Sequence, residues 1–114
     1  MTEDSLSIDV FVDLSMILVY VPNVLNTSSS INNNELTIEL PPDILEVTEF
    51  SIYDRWGQQV AFTERIQQGE IVIVWDGTFR NQSVTPGVYV YTYDMLTVYG
   101  PERRRITGDI TIIN

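Results

Sequence analysis

The ten residues from Ser51 to Val60, SIYDRWGQQV, predict the central β-hairpin of this chain. Side chains alternate across a strand, so Ile52 faces the opposite side from its neighbours and continues an apolar face. Gly57 can adopt the positive φ that closes a tight reversal, because it has no Cβ to clash with the backbone. Apolar residues then alternate again from Val60 onwards. The stretch therefore predicts a hairpin with Trp56 and Gly57 at or near its tip.

Short apolar runs recur through the rest of the chain at a spacing of about ten residues, as in all-β domains. None has convincing helical periodicity. The sequence therefore predicts an all-β fold, an immunoglobulin-like antiparallel β-sandwich of seven to eight short strands. Besides the hairpin, the runs expected to form strands are Ile8–Val12, Met16–Val21, Leu36–Leu40, Ile71–Trp75, Val88–Asp94 and Arg104–Ile113.

Three segments carry more specific predictions. Ile71–Trp75, IVIVW, is apolar at every position, which is typical of an interior strand covered on both faces. Asn23–Asn34 is rich in Ser and Asn, whose side chains bond their own backbone in turns, so it predicts a loop. Met95–Pro101 is expected to form the turn before the last strand.

The Tyr-rich strand places Tyr89, Tyr91 and Tyr93 on one face. In immunoglobulin-like sandwiches a Tyr at the start of a strand closes the tyrosine corner, and the segment from Gly87 to Tyr91 has a matching spacing. A row of tyrosines can also form a sugar-stacking platform. Alternation behind a Pro-Gly turn favours core packing.

The chain has 114 residues, the length of one domain. It contains neither Cys nor His, which removes the usual zinc ligands, His acid-base relays and Cys nucleophiles. No pair of carboxylates has a neighbouring feature that identifies an acid and a base. The composition predicts a protein that is not an enzyme and that uses no cofactor or metal.

The net charge is −10, and it is unevenly distributed. The first 54 residues contain ten carboxylates and no Lys or Arg, whereas the remaining 60 contain six carboxylates and six arginines. The acidic half repels phosphate, which argues against nucleic acid or an anionic membrane as partner. No segment has the roughly 20 apolar residues needed for membrane insertion. Solubility explains the acidity most simply, with partner steering as the alternative.

Three segments resemble, in content and order, the gliding-motility-associated C-terminal domain, the type B sorting domain of the type IX secretion system. They are Tyr20–Asn23 (YVPN), Ile52–Val60 (IYDRWGQQV) and Trp75–Tyr91, which contains WDGT and TPGVYVY. The resemblance covers about Ile17 to Asn114. The positions assigned to the structural motif are Pro22, Asn23, Pro86, Gly87, Tyr89 and Tyr91.

The resemblance implies a β-sandwich that acts as an address at the C-terminus of secreted or surface proteins. An outer-membrane protein of the secretion machinery would recognise it and export the cargo fused in cis, through the periplasm and outer membrane to the cell surface or medium. Residues 16–114 would be the sorting domain, and residues 1–15 the tail of the cargo module or an added linker.

One segment departs from the family pattern. Family members usually follow VPN with a segment of the form SPNGDGxND, whereas Val24–Asn34 reads VLNTSSSINNN and lacks the Gly and Asp. Any cation binding by that segment is therefore not carried over to this chain.

Three groups are candidates for partner recognition, each with a structural alternative. Arg55, Trp56 and Gly57 form either a recognition tip or a structural turn, with Trp56 capping the core and Arg55 paired to a carboxylate. The WDG turn is either a contact or a packed turn in which Asp76 bonds backbone. The arginine run is either a docking patch or protection of an edge strand. The members of the last two groups are Trp75, Asp76, Gly77, Arg103, Arg104 and Arg105.

Two functions follow from these interpretations. The first is a non-catalytic sorting module read by a protein partner. The alternative is an immunoglobulin-like adhesin or carbohydrate-binding module that shares the sandwich.

Overall fold

The computed structural model describes residues 19–28 and 34–114. These residues contain nine β-strands and no helix, which confirms the all-β prediction. The strand predicted at Ile8–Val12 and the boundary predicted after residue 15 lie outside the described residues. The strands are β1 Val24–Asn26, β2 Leu36–Glu39, β3 Ile44–Tyr53, β4 Gln59–Gln67, β5 Ile71–Trp75, β6 Thr78–Phe79, β7 Gln82–Ser83, β8 Gly87–Thr97 and β9 Arg104–Ile113.

Two sheets enclose the core. The large sheet has the order β1-β9-β8-β3-β4, the small sheet pairs β2 with β5, and β6 and β7 form a short hairpin. The pairings are antiparallel except for β1, which runs parallel to β9. Buried apolar residues of both sheets belong to one cluster, as the predicted β-sandwich requires. They include Leu36, Ile38, Val47, Phe50, Ile52, Ile66, Val74 and Ile110.

Stacked aromatic rings form the middle of the core. The ring of Phe50 stacks on Tyr91 and Tyr93 at centroid distances of 5.7 and 5.4 Å. Tyr93 is buried, and its hydroxyl accepts a hydrogen bond from the Val19 N–H at 3.3 Å. Burial raises the pKa of Tyr93 to about 12. The Tyr-rich strand therefore turns its rings into the core.

The predicted central hairpin is confirmed as β3 and β4, with Trp56 and Gly57 in the turn between them. Its first strand contains a β-bulge, where Glu49 has φ 55° and the register with β8 shifts. The strand β8 continues to Thr97, so the turn predicted to start at Met95 starts later. Met95 and Thr97 are both buried and extend the inward face of the strand.

The prediction that Ile71–Trp75 is covered on both faces is wrong. Ile71 and Ile73 are 66% and 57% exposed, whereas Val74 and Trp75 are buried. This strand belongs to the two-stranded sheet, of which one face packs on the large sheet and the other carries these isoleucines. A run of β-branched residues can occur in a half-exposed strand, because much of a protein's surface is apolar.

The loop predicted from Asn23 contains a strand. Val24–Asn26 pairs with the end of β9, and the Thr111 N–H donates to the Asn23 carbonyl at 2.9 Å. Leu25 is 1% exposed, so burial of one apolar side chain outweighs the turn preference of its polar neighbours. The described part of the predicted run from Met16 to Val21 is not a strand.

Candidate functional site

The turn between β3 and β4 is organised by Asp54. Its Oδ1 accepts hydrogen bonds from the N–H groups of Trp56 and Gln58, both at 2.9 Å. The Gly57 N–H donates to the Asp54 carbonyl at 3.0 Å, and Gly57 has φ 86°. This fixes the backbone at four positions. Asp54 is not among the residues predicted for a site, although an Asp that begins a tight turn is the ordinary signal for this bonding.

Trp56 and Arg55 are displayed on this fixed turn. The Trp56 side chain is 83% exposed, so it does not cap the core. The Arg55 guanidinium carbon lies 5.7 Å from the centroid of the Trp56 ring. Among the residues that the structure describes, Arg55 has no ion pair within 4.0 Å. The side chains of the turn therefore face solvent while its backbone is held.

The WDG turn is a closed packing unit. Trp75 is 5% exposed, and its indole N–H donates to the Thr78 carbonyl at 2.9 Å. The Asp76 Oδ1 accepts from the Thr78 N–H at 3.0 Å and from its hydroxyl at 2.6 Å. Gly77 has φ 81°, and a Cβ there would overlap the side chain of Thr27. Trp75, Asp76 and Gly77 therefore serve the packing and hydrogen bonding of the domain itself.

Tyr89 links these turns. Its ring lies 5.4 Å from that of Trp75, and its hydroxyl donates to the Thr85 carbonyl at 2.6 Å, which is the geometry of a tyrosine corner. Burial raises the pKa of Tyr89, and the nearby charge of Asp54 raises it further. We call this region the motif end: the turns Asp54–Gln58, Trp75–Thr78 and Thr85–Gly87, joined around Tyr89.

The motif end carries a shallow pocket of about 180 Å³ lined by Arg55, Trp56, Gly87 and Val88. Gly87 has φ 144°, and the position that a Cβ would occupy on it is 3.5 Å from the Arg55 guanidinium. The Arg55 side chain therefore lies beside the Pro86-Gly87 turn. An exposed Trp beside an Arg is the combination enriched at protein-binding hot spots.

The start of the family pattern serves as an anchor. Asn23 holds the chain to β9 through its carbonyl, as described above, and Tyr20 is 78% exposed. In the segment after VPN, which departs from the family pattern, the Asn26 Oδ1 accepts hydrogen bonds from the N–H and the hydroxyl of Ser28 at 3.1 and 2.9 Å. Within the described ranges, no group of three or more acidic side chains is arranged to hold a metal ion.

The arginine run lies in a different place, at the other end of the large sheet. Arg103 and Arg105 are on its outward face, whereas Arg104 pairs with the buried Met95 on the inward side. Arg103 bonds the Glu46 carboxylate, and the Arg105 Nε donates to the Asp94 Oδ1 at 2.7 Å. The Arg103 guanidinium lowers the pKa of Glu46, and Asp94 raises the pKa of Arg105. Arg65 and Glu49 extend this ladder of charges. We call it the charged half of the outer face.

The structure therefore separates the candidates for recognition. Asp94 lies six residues along β8 from Val88, or about 20 Å, so the charged half does not join the motif end. Within the described residues, β1 pairs with β9 only at Thr111, Ile112 and Ile113, so no described strand pairs with β9 on the side away from β8 at Arg104 and Arg105. Protection of an edge strand therefore stays a prediction for this run.

These features define a β-sandwich whose motif residues build one rigid, displayed turn, the form of a recognition module. The family model of the CHU_C type IX secretion signal domain matches residues 19–112, and the chain belongs to that family. The resemblance drawn from the YVPN, RWG and WDGT motifs is confirmed. No curated protein and no solved structure matches the chain.

Membership fixes the general role. The domain is a C-terminal sorting signal of type IX secretion, so the cargo fused to it is recognised by the secretion machinery and is exported to the cell surface or medium. The carbohydrate-binding alternative is not favoured, because Tyr89 and Tyr93 are buried rather than arranged as a platform. In the part of the chain that is described, no helix has the length and apolar character to span a membrane.

Proposed function

We propose that an outer-membrane protein of the type IX machinery recognises this domain through Arg55 and Trp56. The domain, residues 16–114, carries no catalytic function, and residues 1–15 belong to the module ahead of it. The exported protein crosses the periplasm and the outer membrane with the domain attached. Within the motif end, the contact residues are those of the Asp54–Gln58 turn.

The exposure of Trp56 is the observation that carries this proposal. A Trp side chain is rarely left almost fully in water. Its burial stabilises a protein by several times the free energy that the burial of a small side chain provides. Here it is 83% exposed on a turn held by four backbone-directed hydrogen bonds. A fixed turn loses little conformational entropy on binding, which favours affinity.

The other candidates support the turn or stabilise the sheet. Trp75 and Gly77 are buried, so they hold the motif end in shape. Asp76 bonds within its own turn. Arg103 and Arg105 already pair with carboxylates of the same domain. A partner would therefore gain little binding free energy from their charges.

A secretion assay tests the role of Trp56. Residues 1–114 are fused to a periplasmic fluorescent reporter in a host with the secretion system, and the reporter in the medium and on the cell surface is measured. Loss of a hot-spot Trp typically costs 2 kcal/mol or more, so Trp56→Ala should lower the exported fraction at least about tenfold. Tyr99→Ala, which removes an aromatic ring that is 47% exposed elsewhere, is the matched control.

The purified variants should keep the thermal unfolding temperature of the parent chain, because neither ring is buried. Normal export of Trp56→Ala and Arg55→Ala would refute recognition through this turn. Equal losses for Trp56→Ala and Tyr99→Ala would also count against it, since the effect would then be unspecific.

A further inference from the structure

The outer face of the large sheet has a second half, next to the turn that bears Trp56. Residues paired across antiparallel strands project from the same side of a sheet. One outward row contains Tyr53, Val90 and Asp109, and the row nearer the motif end contains Val88 and Thr111. A single charged side chain, that of Asp109, occurs in these two rows.

A third row separates them from the charged half. It crosses four strands through Phe62, Ser51, Thr92 and Thr107, none of which is charged. We call these three rows the uncharged half of the outer face. Val88 also lines the pocket beside Trp56, so this half is continuous with the displayed turn.

Exposed apolar side chains are concentrated on this part of the surface. Six of the twelve large hydrophobic residues that are exposed in the described chain lie on the uncharged half, at its rim or on the adjoining turn. They are Val24, Trp56, Phe62, Val88, Val90 and Ile113. Exposed apolar side chains that are grouped on one part of a surface mark an interaction site more often than isolated ones do.

We propose that the uncharged half, together with Trp56, is the surface on which the secretion partner docks. This inference rests on the proposed function and extends its contact from the turn to the sheet. The partner surface is apolar where it meets Val88 and Val90, carries one cation that meets Asp109, and carries a carboxylate that meets Arg55. The lack of an ion pair for Arg55 within the described residues supplies the charge complementarity.

A second copy of the chain fits this face less well. Each chain has a net charge of −10, so two copies repel each other as they approach. Interface centres are depleted in charged residues and enriched in aromatic residues and Arg. The three rows have one charged residue and two aromatic residues, and Arg55 and Trp56 adjoin them on the turn. A partner of different charge therefore explains the face better than self-association does.

The test places one positive charge at two matched positions in the reporter fusion of the full chain. Val90→Lys introduces it in the centre of the uncharged half, and Val98→Lys introduces it at an exposed Val beyond the end of β8. The added Lys would pair with Asp109 across the strands, repel the cation that the partner directs there and lose its water at the interface, so export of Val90→Lys should fall about tenfold. Val98→Lys should stay within about twofold of the parent chain. Val90→Thr, which adds no charge, should also be exported normally.

Folding and assembly are checked on the purified full chain. Thermal unfolding within a few degrees of the parent would show that Val90→Lys is folded. If it is not folded, Val88→Lys places the charge at another exposed Val of the same half and should lose export as well. Normal export of a folded Val90→Lys, with export of Trp56→Ala lost, would overturn the docking face while leaving recognition through the turn intact. A dimer in sedimentation that Val90→Lys dissociates would instead assign the face to a second copy.

Discussion

The two halves of the outer face of the large sheet use their side chains in opposite ways. In the charged half, Arg105 meets Asp94 on the neighbouring strand β8, and Arg103, next to β9, reaches over β8 to Glu46 on β3. In the uncharged half, Val88 and Val90 project into solvent. The same strands, β8 and β9, contribute to both halves, so the difference comes from the outward residues and not from the fold.

This difference shows where a partner is needed. Cross-strand ion pairs satisfy each other within the domain and leave little for a partner to gain. Apolar side chains in water have nothing comparable inside the domain, so their burial is available for association. The turn with Trp56 adjoins the uncharged half, which places the exposed aromatic ring and the apolar face on one side of the molecule.

The largest effect is expected for a variant of the WDG turn. It tests whether this turn is packed more tightly than the turn that carries Trp56. Gly77→Ala adds a Cβ at positive φ that overlaps Thr27, whereas Gly57→Ala adds one at similar φ with nothing within 4 Å. The backbone conformation costs about 1 kcal/mol in both variants, and crowding adds about 2 kcal/mol at Gly77 alone. Urea unfolding measures the two free energies of unfolding. Equal losses would show that the two turns are equally open.

A second prediction concerns the aromatic layer under the sheet. The pKa of Tyr93 is about 12 in the folded chain and 10.0 in its ordinary state, so folding favours the neutral hydroxyl. Its contribution to stability is complete below pH 10 and is lost as the pH rises from 10 to 12, by up to about 3 kcal/mol. Tyr93→Phe should flatten the stability profile in this window. A profile unchanged by Tyr93→Phe would show that the hydroxyl is not buried as described.

The smallest effect is expected in the charged half. The folded pKa of Glu46 lies below its ordinary value of 4.5, so its contribution is present above that pH and is lost as the pH falls through the folded pKa. Glu46→Gln should therefore lower the free energy of unfolding by about 1 kcal/mol or less at pH 7, and by less at pH 3. Glu64→Gln, on an exposed residue of β4, is the control. Reporter export should not change in either variant, and a loss confined to Glu46→Gln would extend the docking site to the charged half.

The sequence predicted much of this architecture because its local signals were strong. The alternation around Ile52 and the glycine at position 57 indicated the hairpin, and the regular recurrence of short apolar runs indicated a sandwich. The inward row of tyrosines was predicted by alternation as well. The motifs from YVPN to TPGVYVY identify the family from the sequence alone.

Other features could not be read from the chain. Ile71 and Ile73 were predicted to be buried, and Trp56 had been assigned either to the core or to a recognition tip. Leu25 lay in a predicted loop and is a core residue of β1. In each case the outcome depends on which strand or sheet lies next to the residue, and that is set by partners distant in sequence.

By itself the sequence determined that the chain forms strands, where it reverses, which residues share a face, and to which family it belongs. The tertiary structure decided which of those faces is covered, that Asp54 holds the displayed turn, and that Arg103 and Arg105 pair with carboxylates far from that turn. The physical reason is that alternation divides a strand into two faces through local geometry, whereas the water that each face loses depends on the neighbouring strands.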